Sequence, residues 1–381
     1  MFIGSDAIAK IISLQWADIL DSGSYNSYQI RTLSAIRRCR TPELGGYRYR
    51  CDTCAKVHQV YHSCRNRHCP RCQNTERQQW ISSQEDRLIG DHFYHIVYTV
   101  PQQLRQVFKS YPRQMYSLLM RTGWSVINDL GWNPKYLGAQ IGATIVLHTW
   151  GSNLSYHPHI HCIVPGGGIN LRGQWRHAKG RGKYLFPVKA MSKIYRHRMI
   201  RAIVKFLRSE GNHITAETIN SWYQHDWLVY CKPPFGGKQG VIRYLARYTH
   251  KVAITHHRIK YYDDHQVRFS YTDYRHANKK NILSIAPREF IRRLTMHFLP
   301  KGFCRIRHYG IVSSTWVRRL HGIRPPQVKV DWISYWLQRG LDVLLCPHCK
   351  TGRLQYECAI EPVRGPPYTW KASNRTKTQH L

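Results

Sequence analysis

The sequence is short of acid. Asp and Glu number 21 in 381 residues against 58 Lys and Arg, which leaves a formal net charge of +37. A chain this basic repels itself until it meets a polyanion. The imbalance points to nucleic acid, whose phosphates release counterions on binding, and away from proteins without a charged partner. The cations run along the whole chain and not in one tail, so the contact surface is expected to be large. Long apolar runs are also missing, which argues against a membrane span. The stretch Met1–Leu14 carries Asp6 and no basic opening segment, so it does not read as a secretory signal. There are no internal repeats. These absences place the chain in a reducing, cytoplasmic, nucleoid-associated setting, where cysteines bind metal more often than they form disulfides.

There are 12 Cys, and their spacing is informative. Cys51-Asp-Thr-Cys54 and Cys69-Pro-Arg-Cys72 are two C-x2-C pairs with fourteen residues between them. Each pair forms a knuckle that offers two thiolates, and four thiolates close a tetrahedral Zn2+ site. The expectation is one zinc held by Cys51, Cys54, Cys69 and Cys72. Cys39, Cys64 and three nearby histidines are left over, either for a second zinc or as solvated and core side chains. Arg65, Arg67 and Arg71 surround the second pair and are assigned to DNA contact. Near the end of the chain, Cys346-Pro-His-Cys349 with Cys358 makes half a knuckle that lacks an evident fourth partner.

The stretch around which the chain is organised is His157-Pro158-His159-Ile160-His161-Cys162-Ile163-Val164, followed by Gly166-Gly167-Gly168. As a strand it turns Ile160, Cys162 and Val164 one way and His159 and His161 the other. Two imidazoles one residue apart on one face reach a single metal ion. The same pair also reads as two surface histidines in a chain with 23 of them. Ile141–Trp150 forms the preceding strand, with a turn at Gly151-Ser152-Asn153. A hairpin centred near Asn153 sets His148 across from His159 and makes it the first choice for a third ligand. A one-residue slip of register turns it away.

Further along, Lys238–Lys251 reads as a helix. Tyr244 and Tyr248, four residues apart, share its face about 6 Å apart along the axis. Arg243 and Arg247 flank them. Phenols beside cations suit attack on phosphate; two core or stacking aromatics fit the spacing too. Phe303–Gly310 carries Arg305 and Arg307, also assigned to DNA. The tyrosines and tryptophans suit stacking on unpaired bases, although most are ordinary core residues.

Together these pieces resemble the insertion sequence 91 family of transposases, two-tyrosine members of the HUH endonuclease superfamily. The resemblance rests on Ser63–Gln73 (SCRNRHCPRCQ), Leu147–Gly168 (LHTWGSNLSYHPHIHCIVPGGG), Tyr244–Thr255 (YLARYTHKVAIT), Glu289–Leu294 (EFIRRL) and Phe303–Gly310 (FCRIRHYG), in this order. It implies an α+β fold: an HUH-type nuclease core with a central antiparallel sheet flanked by helices, plus an N-terminal zinc-binding domain. It makes His159 and His161 ligands of a Mg2+ or Mn2+ ion and Tyr244 and Tyr248 nucleophiles. The third ligand is not settled, since Ser152 stands where some relatives carry Glu. The implied activity is nicking and rejoining of single-stranded or hairpin DNA at element ends through a 5′-phosphotyrosine, as rolling-circle transposition needs. A replication initiator or relaxase shares that chemistry, and a non-catalytic zinc DNA-binding regulator is the reading from another class. The expected division is 1–88 for N-terminal helices and zinc domain, 89–310 for the core, 311–359 for a helical segment with the Cys knuckle, and a disordered tail over 360–381. The oligomeric state is unknown from the sequence.

Overall fold

The computed structural model describes residues 4–73, 89–90, 92–179, 185–225, 227–236, 240, 252–273, 276, 278–321, 332–338 and 340–363. The described residues fall into two units, one drawn from Met1–Leu33 and Arg67–Gln327, the other from Ser34–Asn66 and Val328–Leu381. In chain order the helices are α1 (Ala7–Leu14), α2 (Trp16–Asp21), α3 (Ser27–Arg38), α4 (Arg105–Ser110), α5 (Pro112–Trp132), α6 (Val188–Ser209), α7 (Ala216–Gln224), α8 (Pro287–Thr295), α9 (Ser314–His321) and α10 (Trp332–Leu337). The strands are β1 (Gly46–Cys51), β2 (Val57–Tyr61), β3 (His92–Thr99), β4 (Gly142–Trp150), β5 (Tyr156–Pro165), β6 (Gly167–Ile169), β7 (Trp175–His177), β8 (Val229–Gly236), β9 (Ile259–Tyr262), β10 (Val267–Asp273), β11 (Lys279–Ile285), β12 (Ile306–Gly310) and β13 (Leu354–Ile360).

The first unit is built on a five-stranded antiparallel sheet, ordered β12-β4-β5-β3-β8. Period-two alternation divides its side chains. Tyr94, Ile96 and Tyr98 of β3, Ile145 and Leu147 of β4, and Ile160, Cys162 and Val164 of β5 form one buried cluster with Leu119 and Ile127 of α5 and Met191, Tyr195 and Met199 of α6. Burying each large side chain contributes about 1.5–3 kcal/mol, which locks the register and so the opposite face as well. Gly123 lets α5 lie against the centre of the sheet: a Cβ there would come within 2.5 Å of Ile160 Cδ1. A second sheet, β11-β10-β9, lies in the same unit. It holds the β4–β5 turn: Ser152 Oγ donates to the Thr272 carbonyl and Arg258 Nη2 to the Ser152 carbonyl. From α8, Arg293 donates to the Asn153 carbonyl at 3.2 Å.

The second unit is the three-stranded sheet β13-β1-β2, with β1 antiparallel to both neighbours. Gly46 pairs with Ile360 and Cys51 with Leu354. This pairing corrects the division expected from sequence: Leu354–Ile360 completes the sheet begun at Gly46, so 311–359 is not one helical segment. Ile360 ends a strand and is not part of a tail; residues 364–381 lie outside the described residues. Among the described residues no helix is long and apolar enough to cross a membrane.

Candidate functional site

β4 and β5 pair with His148 opposite His159, the register that the turn at Asn153 demands. His161 sits two residues on, on the same face. The three rings approach closely: centroids of His148 and His161 are 4.5 Å apart, His159 and His161 4.9 Å, His148 and His159 5.5 Å. One nitrogen from each ring lies within 4.8 Å of the others. His148 and His161 are buried and His159 is half-buried. Trp150 stacks on His148 with centroids 4.6 Å apart.

The outer nitrogens of two rings are already engaged. His159 Nδ1 is 2.7 Å from the His157 carbonyl. A carbonyl only accepts, so Nδ1 carries the proton and Nε2 presents its lone pair. His161 Nδ1 is 2.8 Å from His95 Nε2. His95, on β3, pairs with Ile163 and is thus the diagonal neighbour of His161. It is buried, and that burial, with the charges of Lys232 and His159, pushes its pKa down to about 3. The sequence reading missed His95. The only signal was its odd position on a strand whose even positions are apolar. His157, outside the triad, accepts from Arg105 Nη2 at 3.0 Å, and burial holds its pKa at about 3.

Three imidazoles, each with one ring nitrogen within 4.8 Å of the others, fit a divalent ion with bonds of about 2.1 Å after small ring movements. No carboxylate among the described residues joins the cluster. That donor set is softer than the oxygen shell Mg2+ prefers, so of the two ions expected Mn2+ fits better. Tyr244, Tyr248, Arg243 and Arg247 lie outside the described residues.

The cysteines require a correction. Cys51 and Cys54 do not share a site with Cys69 and Cys72. They group with Cys346 and Cys349 in the second unit. Cys51 Sγ is 3.7 Å from Cys349 Sγ, and Cys54 Sγ is 3.7 Å from Cys346 Sγ. A tetrahedral zinc with bonds of about 2.3 Å requires sulfurs about 3.8 Å apart, so the quartet fits. Each knuckle is followed by a residue in the left-handed region, Ala55 (φ 57) and Lys350 (φ 59). The Cys54 amide donates to Cys51 Sγ at 3.5 Å and the Gly352 amide to Cys349 Sγ at 3.3 Å. Gly352 is required there: a Cβ would stand 2.6 Å from Cys51 Sγ. The half knuckle at the end of the chain thus finds its partners at the start of it. Cys69 and Cys72 are both buried. The Cys64 amide donates to Cys39 Sγ at 3.5 Å.

The arginines are dispersed. Arg65 is exposed, with φ 49. Arg67 donates to the Phe303 carbonyl at 2.7 Å and lines a small cavity with His68 and Arg305. Arg71 lies near His256. Arg307 pairs with Ile145, which pairs with Cys162, so its side chain is on the helix-covered face, away from the imidazoles. It donates to Ser117 Oγ of α5 at 3.2 Å.

Comparison with known proteins shows what the chain is similar to. Residues 142–319, which span β4, β5 and β12, match a family described as "Putative transposase". Residues 11–100 match "Transposase zinc-binding domain". The "Putative transposase y4qJ" of Sinorhizobium fredii (strain NBRC 101917 / NGR234) is 34% identical over 376 residues, covering 92% of this chain and 94% of its own. The "Transposase for insertion sequence element IS801" of Pseudomonas savastanoi pv. phaseolicola is 28% identical over 319 residues, 78% of this chain and 74% of its own. Among solved structures, TrwC complexed with a 27-mer DNA of recognition hairpin and cleavage site overlaps 34% of this chain and 54% of that one, with 13% identity and a TM-score of 0.23. The two matched families define the class, a transposase core joined to a zinc-binding domain. The chain belongs to the insertion sequence 91 family of transposases.

Proposed function

We propose that this transposase drives rolling-circle transposition by nicking and rejoining single-stranded DNA at the ends of its element. The observation that carries the reading is the meeting of His148, His159 and His161 on one face of the central sheet. With Mn2+ or Mg2+ bound, that centre supplies Lewis acidity to a non-bridging phosphate oxygen and offsets charge in the transition state. His148, His159 and His161 would be the residues that hold the ion. His157 and His95 hold the rings of His159 and His161 with their Nε2 atoms inward.

Tyr244 or Tyr248 attacks phosphorus through its phenolate oxygen. The bond between phosphorus and the 3′ oxygen breaks, and that oxygen leaves and takes up a proton. The product is a 5′-phosphotyrosine with a free 3′-OH. The ester keeps the energy of the broken bond, so a 3′-OH from another strand reverses the step and joins without ATP. Two tyrosines let one chain hold two ends in succession, with Arg243 and Arg247 beside the phosphates. Cys51, Cys54, Cys346 and Cys349 hold a structural Zn2+ that fixes the small sheet, and Arg65 lies on that unit for DNA contact.

The test is to incubate the protein with single-stranded element-end DNA and Mn2+ and to run a denaturing gel. A covalent adduct is expected, absent in Tyr244→Phe/Tyr248→Phe. His159→Ala and His161→Ala abolish cleavage and keep DNA binding. An adduct that persists in the double phenylalanine variant refutes the nucleophile assignment.

A further inference from the structure

Behind the sheet, on the face that the imidazoles do not share, α5, α6 and β12 enclose an open cleft of about 330 Å3. Arg113, Ser117 and Arg121 line it from α5, Phe206 from α6 and Arg307 from β12. The first three lie at i, i+4 and i+8, one stripe of the helix. Among the described residues no carboxylate lines the cleft. Arg307 is fixed by its bond to Ser117 and by the Phe303 ring, 5.2 Å from its guanidinium carbon. Arg113 donates to the Lys301 carbonyl. A guanidinium has five N–H donors, so one tether aims the group and leaves most of its donors for a ligand. Arg113 and Arg121 are otherwise exposed.

We propose that this cleft is a second phosphodiester site, which holds the backbone of the DNA flanking the cleaved segment. Eight residues of helix separate Arg113 and Arg121 by about 12 Å, which matches about three and a half phosphate-to-phosphate steps of one strand at ~3.4 Å of axial rise each. A lone phosphate or mononucleotide spans less. Planar forks suit phosphate, and among the described residues no acid lines the cleft to offset its charge. The location gives the site a distinct role. Among the described strands β12 is an edge strand, so DNA cleaved on the imidazole face can reach the cleft by passing round that edge. The scissile strand and its flank are thus held on opposite faces of one sheet, which fixes the flank while the nicked end is free to exchange.

The proposal rests on the reading of the protein as a DNA-processing transposase, and the experiment separates the two. Fluorescence anisotropy is measured across a salt series with a hairpin-flanked element end and with a short single strand limited to the cleaved segment. For Arg113→Ala/Arg121→Ala the log–log salt slope on the flanked DNA is expected to shrink by about 1.8, from two phosphate contacts at ~0.9 each, with little change on the short strand. Arg172→Ala/Lys135→Ala removes the same charge from exposed positions elsewhere in the unit and is expected to leave both slopes as in the wild type. Equal slopes for the Arg113/Arg121 variant and the wild type on flanked DNA overturn the proposal, as does an equal loss in the control variant or an equal loss on the short strand. Failure of the wild type to form an adduct strikes the nuclease reading instead and leaves these slopes to be read on their own.

Discussion

His95 makes the strongest quantitative claim on the imidazole site. If His161 gives its Nε2 lone pair to a metal, its Nδ1 must carry the proton and donate to His95 Nε2, 2.8 Å away. Replacement by Ala leaves a buried N–H without its acceptor, which costs about 1–3 kcal/mol, and lets the ring rotate or change tautomer. Loss of such an outer partner typically weakens metal binding 10–100-fold, about 1.4–2.7 kcal/mol. The assay is calorimetric titration of Mn2+ into the purified protein, with no DNA and no catalysis. His95→Ala is expected to weaken binding by that factor. His95→Gln keeps an acceptor oxygen near the same place and is expected to recover most of it. A DNA-cleavage titration should show the same shift in Mn2+ requirement, with the rate at saturating metal reduced far less. Unchanged Mn2+ affinity in a folded His95→Ala variant refutes the tautomer argument.

Other outcomes follow from particular residues. Loss of one zinc per chain by elemental analysis is expected for Cys349→Ser, and for Gly352→Ala because its Cβ meets Cys51 Sγ at 2.6 Å; full zinc content in both sinks the quartet. A chelator should lower the thermal stability of the same unit, since a structural zinc contributes to folding outright. Burial holds the pKa of His297 at about 4, so the unfolded chain takes up a proton below about pH 6.5 that the folded chain refuses. Stability contributed by this group is therefore complete above 6.5 and falls by roughly 3 kcal/mol as the pH drops to 4. Denaturant unfolding should show a shallower acid limb in His297→Gln, and an identical limb would contradict this. Single Phe variants at Tyr244 and Tyr248 should each retain some adduct; complete loss in one of them assigns the first attack to that tyrosine.

The central sheet was legible because its signals are local. Alternation in β3 and β5 and a turn of polar and glycine residues fix which side chains oppose each other, and His148 followed from counting back across that turn. His95 was not legible, because nothing in β3 tells which strand lies beside it. Its place next to β5 arises only when β3 inserts between β5 and β8, a pairing between segments some seventy residues apart that no period records.

The cysteines show the same limit more sharply. A C-x2-C knuckle states that two thiolates point one way; it carries no information about which other knuckle completes the tetrahedron. Nearness in sequence favoured Cys69 and Cys72, since a short loop is cheaper to close than a long one, but closure cost rises only logarithmically with length. Extending a loop from fourteen residues to nearly three hundred adds only about 3 kcal/mol by that scaling, and the pairing of β13 along β1 works against that cost. The salt bridges of Arg48 and Arg50 to Glu357, at 2.7 Å each, sit on that same pairing. A zinc whose ligands come from both ends of the unit also ties residues before the catalytic core to residues after it, so metal loss releases both segments together. Proteolysis of the chelated protein should therefore open sites near Cys51 and near Cys349 at the same rate. Cleavage near Cys349 alone, with the β1–β2 turn still protected, would show that the two knuckles do not share an ion.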